Sequence, residues 1–274
     1  MGGDSLTKIL QYLQLNFGIN LSVFDANFID NLINKRITET NCGSFEEYAE
    51  FITHNTDEAK KLIDSIQVGY SEFFRNPLTF AVLEQIVLPE LVTKKCSSGS
   101  NEIRIWSSAC AAGQEAYSVA ILLEELKKGT DPKFDYRIFA TDLSPSVLKE
   151  AQVGRFYPST LKNVSLKRTE QWFKKEVHQY TVLPDLKRNI DFSVFDLLDK
   201  DTGCPAASIY GSFDLVFCAN LLFYYHPRQR KFILDKITNC IAQGGYLVTG
   251  ETERGFVIKS GFNEVFPNSA ILRK

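Results

Sequence analysis

Near residue 100 the hydrophobic period of the chain changes, and this limits the folds open to it. Up to about residue 94 apolar residues recur at helical spacing. Beyond the polar stretch Cys96-Ser-Ser-Gly-Ser-Asn101, short apolar runs alternate with helical segments. Strands are expected at Ile103–Ser107, Tyr136–Ala140, Ile190–Phe195, Phe213–Ala219 and Tyr246–Thr249. Between them lie helices at Gln114–Lys128, stopped by Gly129, and at Pro145–Gln152, capped by Ser144 with Pro145 in its first turn. A third helix, Arg228–Ala242, is closed by Gly244-Gly245, and segments around Phe256–Ile258 and Ala270–Leu272 form an antiparallel pair. Strands alternating with helices imply a mostly parallel sheet covered on both faces.

The first 68 residues read differently. Leu6, Ile9, Leu10 and Leu13 make one helical stripe, and Phe24, Phe28, Leu32 and Ile33 another. Ser44 with Glu47 fits a capping box, and Thr56-Asp57-Glu58 opens a helix with acids at its positive end. A further helix is expected over 78–94. The sequence is thus read as a helical module ahead of an α/β domain.

Composition removes several function classes. Of 274 residues, 44% are hydrophobic and 23% charged, which argues against global disorder. The net charge of −2 does not suit a wholly basic nucleic-acid surface. The longest apolar run, Leu215–Tyr225, has 11 residues and contains Asn220, too short to span a bilayer. No basic, then apolar, leader opens the chain, so a cytoplasmic protein is expected. Six cysteines form no C-x-x-C pair and three histidines are scattered, so no metal site is expected. Charge is uneven: residues 1–100 carry 8 basic and 13 acidic side chains, whereas 155–188 carry 8 and 3. The latter excess suits either a solvated face or an acidic partner.

The chemistry concentrates at strand ends. Trp106-Ser-Ser-Ala-Cys-Ala-Ala-Gly-Gln-Glu-Ala-Tyr-Ser118 carries a strand through small residues and Gly113 into a helix. Such a turn either packs tightly or lets a ligand approach backbone N–H groups; it lacks the lysine of a phosphate loop. Asp142 ends the second strand, 29 residues after Gly113, where a carboxylate can accept both ribose hydroxyls of an adenosine or cap the next helix. Asp196 and Asn220 end the third and fourth strands. Polar groups on several adjacent strand tips fit the rule that open α/β sheets bind ligands there. Ahead of the sheet, Gly69-Tyr-Ser-Glu-Phe-Phe-Arg-Asn76 sets two aromatics beside Arg75. It reads as a helix start with core phenylalanines or as a cation at a cofactor's edge.

Taken in order, Ser71–Arg75, Trp106–Ser118, Ala140–Asp142, Asp196-Leu197, Cys218–Tyr224 and Gly250-Glu-Thr-Glu253 resemble the CheR chemotaxis methyltransferases, over about residues 5–274. The resemblance implies a Rossmann-like α/β fold with a mostly parallel seven-stranded sheet and a small all-helical N-terminal domain. It divides the chain at 1–75, for receptor recognition, and 76–274, for catalysis. The implied activity is methyl transfer from S-adenosylmethionine to glutamates on chemoreceptor cytoplasmic helices, leaving S-adenosylhomocysteine. The implied cofactor contacts are Ser71, Arg75, Gly113, Glu115, Asp142, Asp196, Leu197, Ala219 and Asn220. Arg75 and Tyr224 are implied at the methyl-transfer site.

Gly69, Ser71, Gln114, Ala116 and Ala219 depart from residues usual in that family; the last removes an arginine. The stretch Lys174–Asp191 looks short for the β-insertion that docks a receptor C-terminal peptide, leaving such docking without support. The chemistry needs little acid–base work, because a glutamate is ionised at neutral pH with a reference pKa of ~4.3. His226 therefore reads as a loop residue before Pro227. A non-catalytic relative that binds the cofactor and acts through protein contacts is the alternative. A methyltransferase for a small molecule would have no need of the helical module.

Overall fold

The computed structural model describes residues 3–66, 71–129, 134–209 and 211–273. Gly69 and Tyr70, part of the segment before Arg75, lie outside the described residues. The chain gathers into two units, Met1–Val68 with Phe223–Phe232, and Gly69–Leu222 with Ile233–Lys274.

The smaller unit holds helices Gly3–Phe17, Ala26–Thr40, Phe45–His54 and Thr56–Ile66. Their apolar stripes meet in a core of Ile9, Leu13, Ile29, Ile33, Tyr48, Ile52 and Leu62. The capping box at Ser44 is half realised: Ser44 Oγ accepts from Glu47 N at 3.1 Å, but Glu47 reaches back to Gly43 N rather than to Ser44. Glu58 is not a solvated first-turn acid. It is buried, accepts from Arg36 at 2.6 and 2.8 Å, and takes the Tyr48 hydroxyl at 2.9 Å. Helix periodicity marked its place; the cross-helix partner carries no periodic signal. Residues 223–232 join this unit through aromatic pairs: Phe24 stacks on Tyr225 at 5.0 Å and Phe28 meets Tyr224 at 4.8 Å. Arg230 also pairs with Asp25 at 3.1 Å.

Among the described residues the larger unit contains ten strands: β1 Glu102–Ser107, β2 Asp135–Asp142, β3 Arg155–Phe156, β4 Phe173–Lys175, β5 Tyr180–Val182, β6 Ile190–Val194, β7 Phe213–Cys218, β8 Ile241–Thr249, β9 Asn263–Glu264 and β10 Ile271–Arg273. Seven form one sheet in the order β6-β2-β1-β7-β8-β10-β9. The first five run parallel, and β10 is antiparallel to both β8 and β9. The order reverses between β1 and β7, the switch point at which ligands enter such sheets. Strand burial follows from helices on either face: β7 is buried at every residue.

Several sequence expectations are corrected here. Phe256–Ile258 is helical, within Arg254–Lys259; the closing antiparallel pair is β9 with β10. The helix beginning at Pro227 ends at Cys240, and Gly244-Gly245 falls inside β8. There the β7–β8 register is irregular, which glycine tolerates by a φ of 70° at Gly244. The 78–94 helix is present as Pro77–Val82 and Leu88–Ser97 joined by a π-turn, Leu83–Val87. Pro89 cannot donate to the residue four before it, and the wider turn absorbs that loss. Residues 155–182, for which the sequence analysis names no strand, hold β3, β5 and β4 as a second, antiparallel sheet. Strands of two or three residues leave too little alternation to be read from sequence.

Candidate active site

The polar residues foreseen at strand ends stand on strand tips that are laced together. Ser108 donates its N–H and its hydroxyl to the Phe217 carbonyl at 3.0 and 2.7 Å, tying β1 to β7. Cys110 N bonds Thr141 O at 2.8 Å, and Trp106 Nε1 bonds Thr141 Oγ1 at 2.9 Å, tying β1 to β2. Phe195 N reaches Asp142 O at 3.1 Å, tying β2 to the end of β6. The four tips therefore share one hydrogen-bonded rim.

Asp142 serves this rim with both oxygens. Oδ2 accepts from Ala111 N and Oδ1 from Ser144 N, each at 3.0 Å. Asp142 thus closes the turn ahead of the helix Pro145–Val153 without capping it, and Ser144, the N-cap residue, makes no side-chain cap. Each oxygen keeps a second acceptor direction. Ala111, held in the left-handed region at φ 47°, shapes the loop that delivers its N–H.

Gly113 is required by packing. Its φ is +90°, and a Cβ there would stand 3.0 Å from Ala151 Cβ and 3.2–3.3 Å from the Tyr117 and Phe192 rings. The helix Gln114–Gly129 starts immediately after it. Glu115 in its first turn accepts from Ser107 Oγ at 2.6 Å. Burial pushes the Glu115 carboxyl up to about 7 and the nearby Glu253 charge adds to the rise; the Ser107 bond and the Arg75 charge oppose it. Beside it, the buried Gln114 Oε1 has no hydrogen-bond partner. Glu115 is thus a reluctant anion at the start of this helix, and the residue before it carries an unsatisfied buried acceptor.

The segment Ser71–Asn76 belongs to the same unit. Phe73 and Phe74 are core aromatics, as the plainer reading of this segment had it. Phe74 N donates to Ser118 Oγ at 2.9 Å, and Ser118 in turn donates to Gln114 O at 2.7 Å. Those bonds hold the segment on the helix that carries Glu115. Phe74 at φ 50° and Asn76 at φ 62° turn the chain sharply on both sides of Arg75. Ser71 and Arg75 are half-buried.

At the β6 tip, Asp196 is exposed and Leu197 buried. Asp196 Oδ1 accepts from Leu198 N at 2.8 Å, closing the turn. At the β7 tip, Ala219 and Asn220 are half-buried, and Asn220 lies in the left-handed region at φ 59°. Tyr224 belongs to the smaller unit's aromatic cluster, 4.1 Å from Phe223 and 4.8 Å from Phe28. His226 is exposed and its backbone N–H bonds Val23 O at 2.9 Å, consistent with a loop role.

Cys110 and Cys218 lie by the rim, but burial pushes both thiols well above their ordinary range, so neither offers a thiolate nucleophile. Three contributors were not singled out as individual residues in the sequence: Ser107, Ser118 and Glu253. The serines act through hydrogen bonds between segments, which leave no local pattern. Glu253, three residues after a glycine at a strand end, does carry the spacing of a capping residue.

The chain matches the family described as CheR methyltransferase, SAM binding domain, over residues 70–270, and CheR methyltransferase, all-alpha domain, over residues 4–66. It is 30% identical over 253 residues to a chemotaxis protein methyltransferase of Borreliella burgdorferi, covering 91% of this chain and 88% of the relative. It is 31% identical over 247 residues to chemotaxis protein methyltransferase 1 of Pseudomonas aeruginosa, covering 88% and 87%. A probable chemotaxis protein methyltransferase of Rhizobium etli is 29% identical over 260 residues, covering 93% and 92%.

Proposed function

Because the chain belongs to the CheR methyltransferase family and is an S-adenosylmethionine-dependent methyltransferase, we propose that it methylates glutamate side chains on the cytoplasmic helices of chemoreceptors. The observation that carries this reading is the match of both domains of that family to one chain, backed by relatives named chemotaxis protein methyltransferases over most of its length. The reaction then belongs to the cytoplasm, where those helices lie.

The rim chemistry fits the cofactor. S-adenosylmethionine supplies a methyl group already activated on a sulfonium, together with an ammonium and two ribose hydroxyls. Glu115, held near neutral pH by burial, and the unsatisfied Gln114 Oε1 would receive the ammonium. Asp142, with an acceptor direction left on each oxygen, would take the ribose hydroxyls. Gly113 and Ala219 would let the cofactor lie against backbone, with Ser71, Asp196, Leu197 and Asn220 bordering it.

An incoming glutamate is already ionised and needs no general base. Arg75 would orient that carboxylate, and Tyr224 would border the transferred methyl, as the family resemblance assigns them. The work left to the protein is alignment of oxygen, methyl carbon and sulfur, with reacting atoms ~3–3.5 Å apart. The small helical unit would recognise the receptor; the division expected at 75 falls at 68 instead, because Ser71–Asn76 belongs to the larger unit.

Radiolabelled S-adenosylmethionine incubated with receptor cytoplasmic fragments tests this directly. Base-labile label on glutamate, lost in Arg75→Ala while that variant stays folded, is expected. Cofactor binding without label on any receptor fragment would overturn the substrate assignment.

A further inference from the structure

Glu253 has no place in the function above, yet its carboxylate is one of the most occupied acceptors in the larger unit. It is fully buried. Its Oε2 accepts from Asn220 N at 2.7 Å, Gly250 N at 2.9 Å and Thr249 Oγ1 at 3.3 Å. The bond to Gly250 is local, the ordinary back-bond of a capped turn at Glu251–Glu253. That cap needs nothing from Asn220, which lies 33 residues away at the tip of another strand.

The second duty has a geometric consequence. Asn220 sits at φ 59°, a conformation asparagine tolerates but does not choose unaided. A carboxylate accepting its N–H makes a charge-assisted bond, stronger than one between neutral groups. The asparagine side chain lies against Gly250. A Cβ on Gly250 would stand 2.8 Å from Asn220 Nδ2, 3.0 Å from Asn220 N and 2.7 Å from Glu253 Oε2. Gly250 therefore leaves the space into which Asn220 settles, and Glu253 holds it there. Gly250 itself has φ −72°, open to any residue, so its requirement is steric.

We infer that Glu253 is a positioning residue: through the Asn220 N–H it locks the β7 tip in the left-handed turn that presents Asn220 to S-adenosylmethionine. The inference rests on the proposed placement of the cofactor beside Asn220. It goes beyond that placement by assigning the hold on the tip to one buried carboxylate from the segment after β8.

The test is calorimetric titration of S-adenosylhomocysteine into the full chain and into Glu253→Gln, Asn220→Ala and the double variant. Titrations are run at about pH 8.5, above the midpoint of about 7 for Glu115, so that loss of the Glu253 charge does not act through Glu115. Glu253→Gln is expected to weaken binding about three- to tenfold while far-ultraviolet dichroism stays that of the parent. In the Asn220→Ala background the same change is expected to cost less than about twofold, because the two act as a unit. A merely structural Glu253 would weaken binding equally in both backgrounds, or not at all, and either result overturns the inference. Parent affinity in Asn220→Ala would instead overturn the placement of the cofactor at that residue, and the inference with it. Should Glu253→Gln not fold, Glu253→Asp asks the same question, since the shorter side chain keeps the charge but withdraws its oxygen from Asn220 N. Weaker S-adenosylhomocysteine binding that is lost in the Asn220→Ala background supports the inference, and parent affinity in a folded Glu253→Asp overturns it.

Discussion

From sequence Asp142 looks like a cap or like a ligand site; in the structure its carboxylate braces the β1–β2 rim and the turn before Pro145. Its two oxygens already hold Ala111 N and Ser144 N, so the carboxylate is fixed before any ligand arrives. Asp142→Ala should weaken S-adenosylhomocysteine binding by roughly 1–3 kcal/mol, the range for polar groups left unpaired, and should also lower the melting temperature. Calorimetry and thermal unfolding read the two effects separately; unchanged affinity in a folded variant would remove Asp142 from the site. Glu115 offers a pH test. Its folded midpoint, about 7, lies above the unfolded reference of ~4.3. The fold thus favours the protonated acid: this contribution to stability is whole below about pH 4.3 and is lost as pH rises toward and through 7. Binding has the opposite sign, because an ammonium prefers the ionised carboxylate. S-adenosylhomocysteine affinity should therefore rise between about pH 6 and 8, and Glu115→Gln should flatten that rise.

Among the elements, Arg36 and Lys35 are neighbours on one helix with different tasks. Both follow the apolar pair Leu32 and Ile33 as adjacent cations. In the structure Arg36 is committed: it pairs with Glu39 and, at 2.6 Å, with the buried Glu58. Lys35 is 70% exposed and pairs with Glu39 at 3.9 Å. Arg36→Glu should strip a buried carboxylate of its partner and destabilise the smaller unit by about 3–5 kcal/mol. Lys35→Glu should stay within about 0.5 kcal/mol of the parent. Urea titration followed by dichroism checks both, and equal stabilities would show that the Arg36–Glu58 pair contributes nothing. The contrast explains what was legible. Four helices of the small unit and the five parallel strands followed from apolar period, because burial on one face repeats along the element. The Arg36–Glu58 pair, the π-turn before Pro89 and the two- and three-residue strands of the second sheet depend on partners distant in sequence or on runs too short to show a period. Phe256–Ile258 failed for a related reason: three apolar residues in a row fit a strand or one helical turn equally.

For the molecule as a whole, the order of polar strand tips was readable before their geometry. Asp142, Asp196 and Asn220 each end a strand that the apolar period located, and the switch between β1 and β7 gathers such ends. Which N–H each side chain holds, and that Glu253 backs Asn220, required the fold. Charge is likewise a whole-molecule property. The net charge is −2, so long-range attraction for an acidic receptor segment cannot come from the total and must come from local groups. The basic 155–188 stretch is partly neutralised: Lys162 pairs with Glu72 at 2.6 Å, and Arg168 with Glu84 and Glu125 at 2.7 Å each. On the small unit Lys35, Lys60 and Lys61 are all exposed. With Arg36 left in place, reversing these three lysines to glutamate should lower kcat/KM for receptor fragments at low salt. The deficit should shrink as ionic strength rises and the Debye length falls to ~10 Å at 0.1 M. S-adenosylhomocysteine affinity should not move, since the steering acts on association of the protein substrate. Equal kcat/KM for variant and parent at low salt would exclude this surface and direct attention to Arg155, Lys167 and their neighbours.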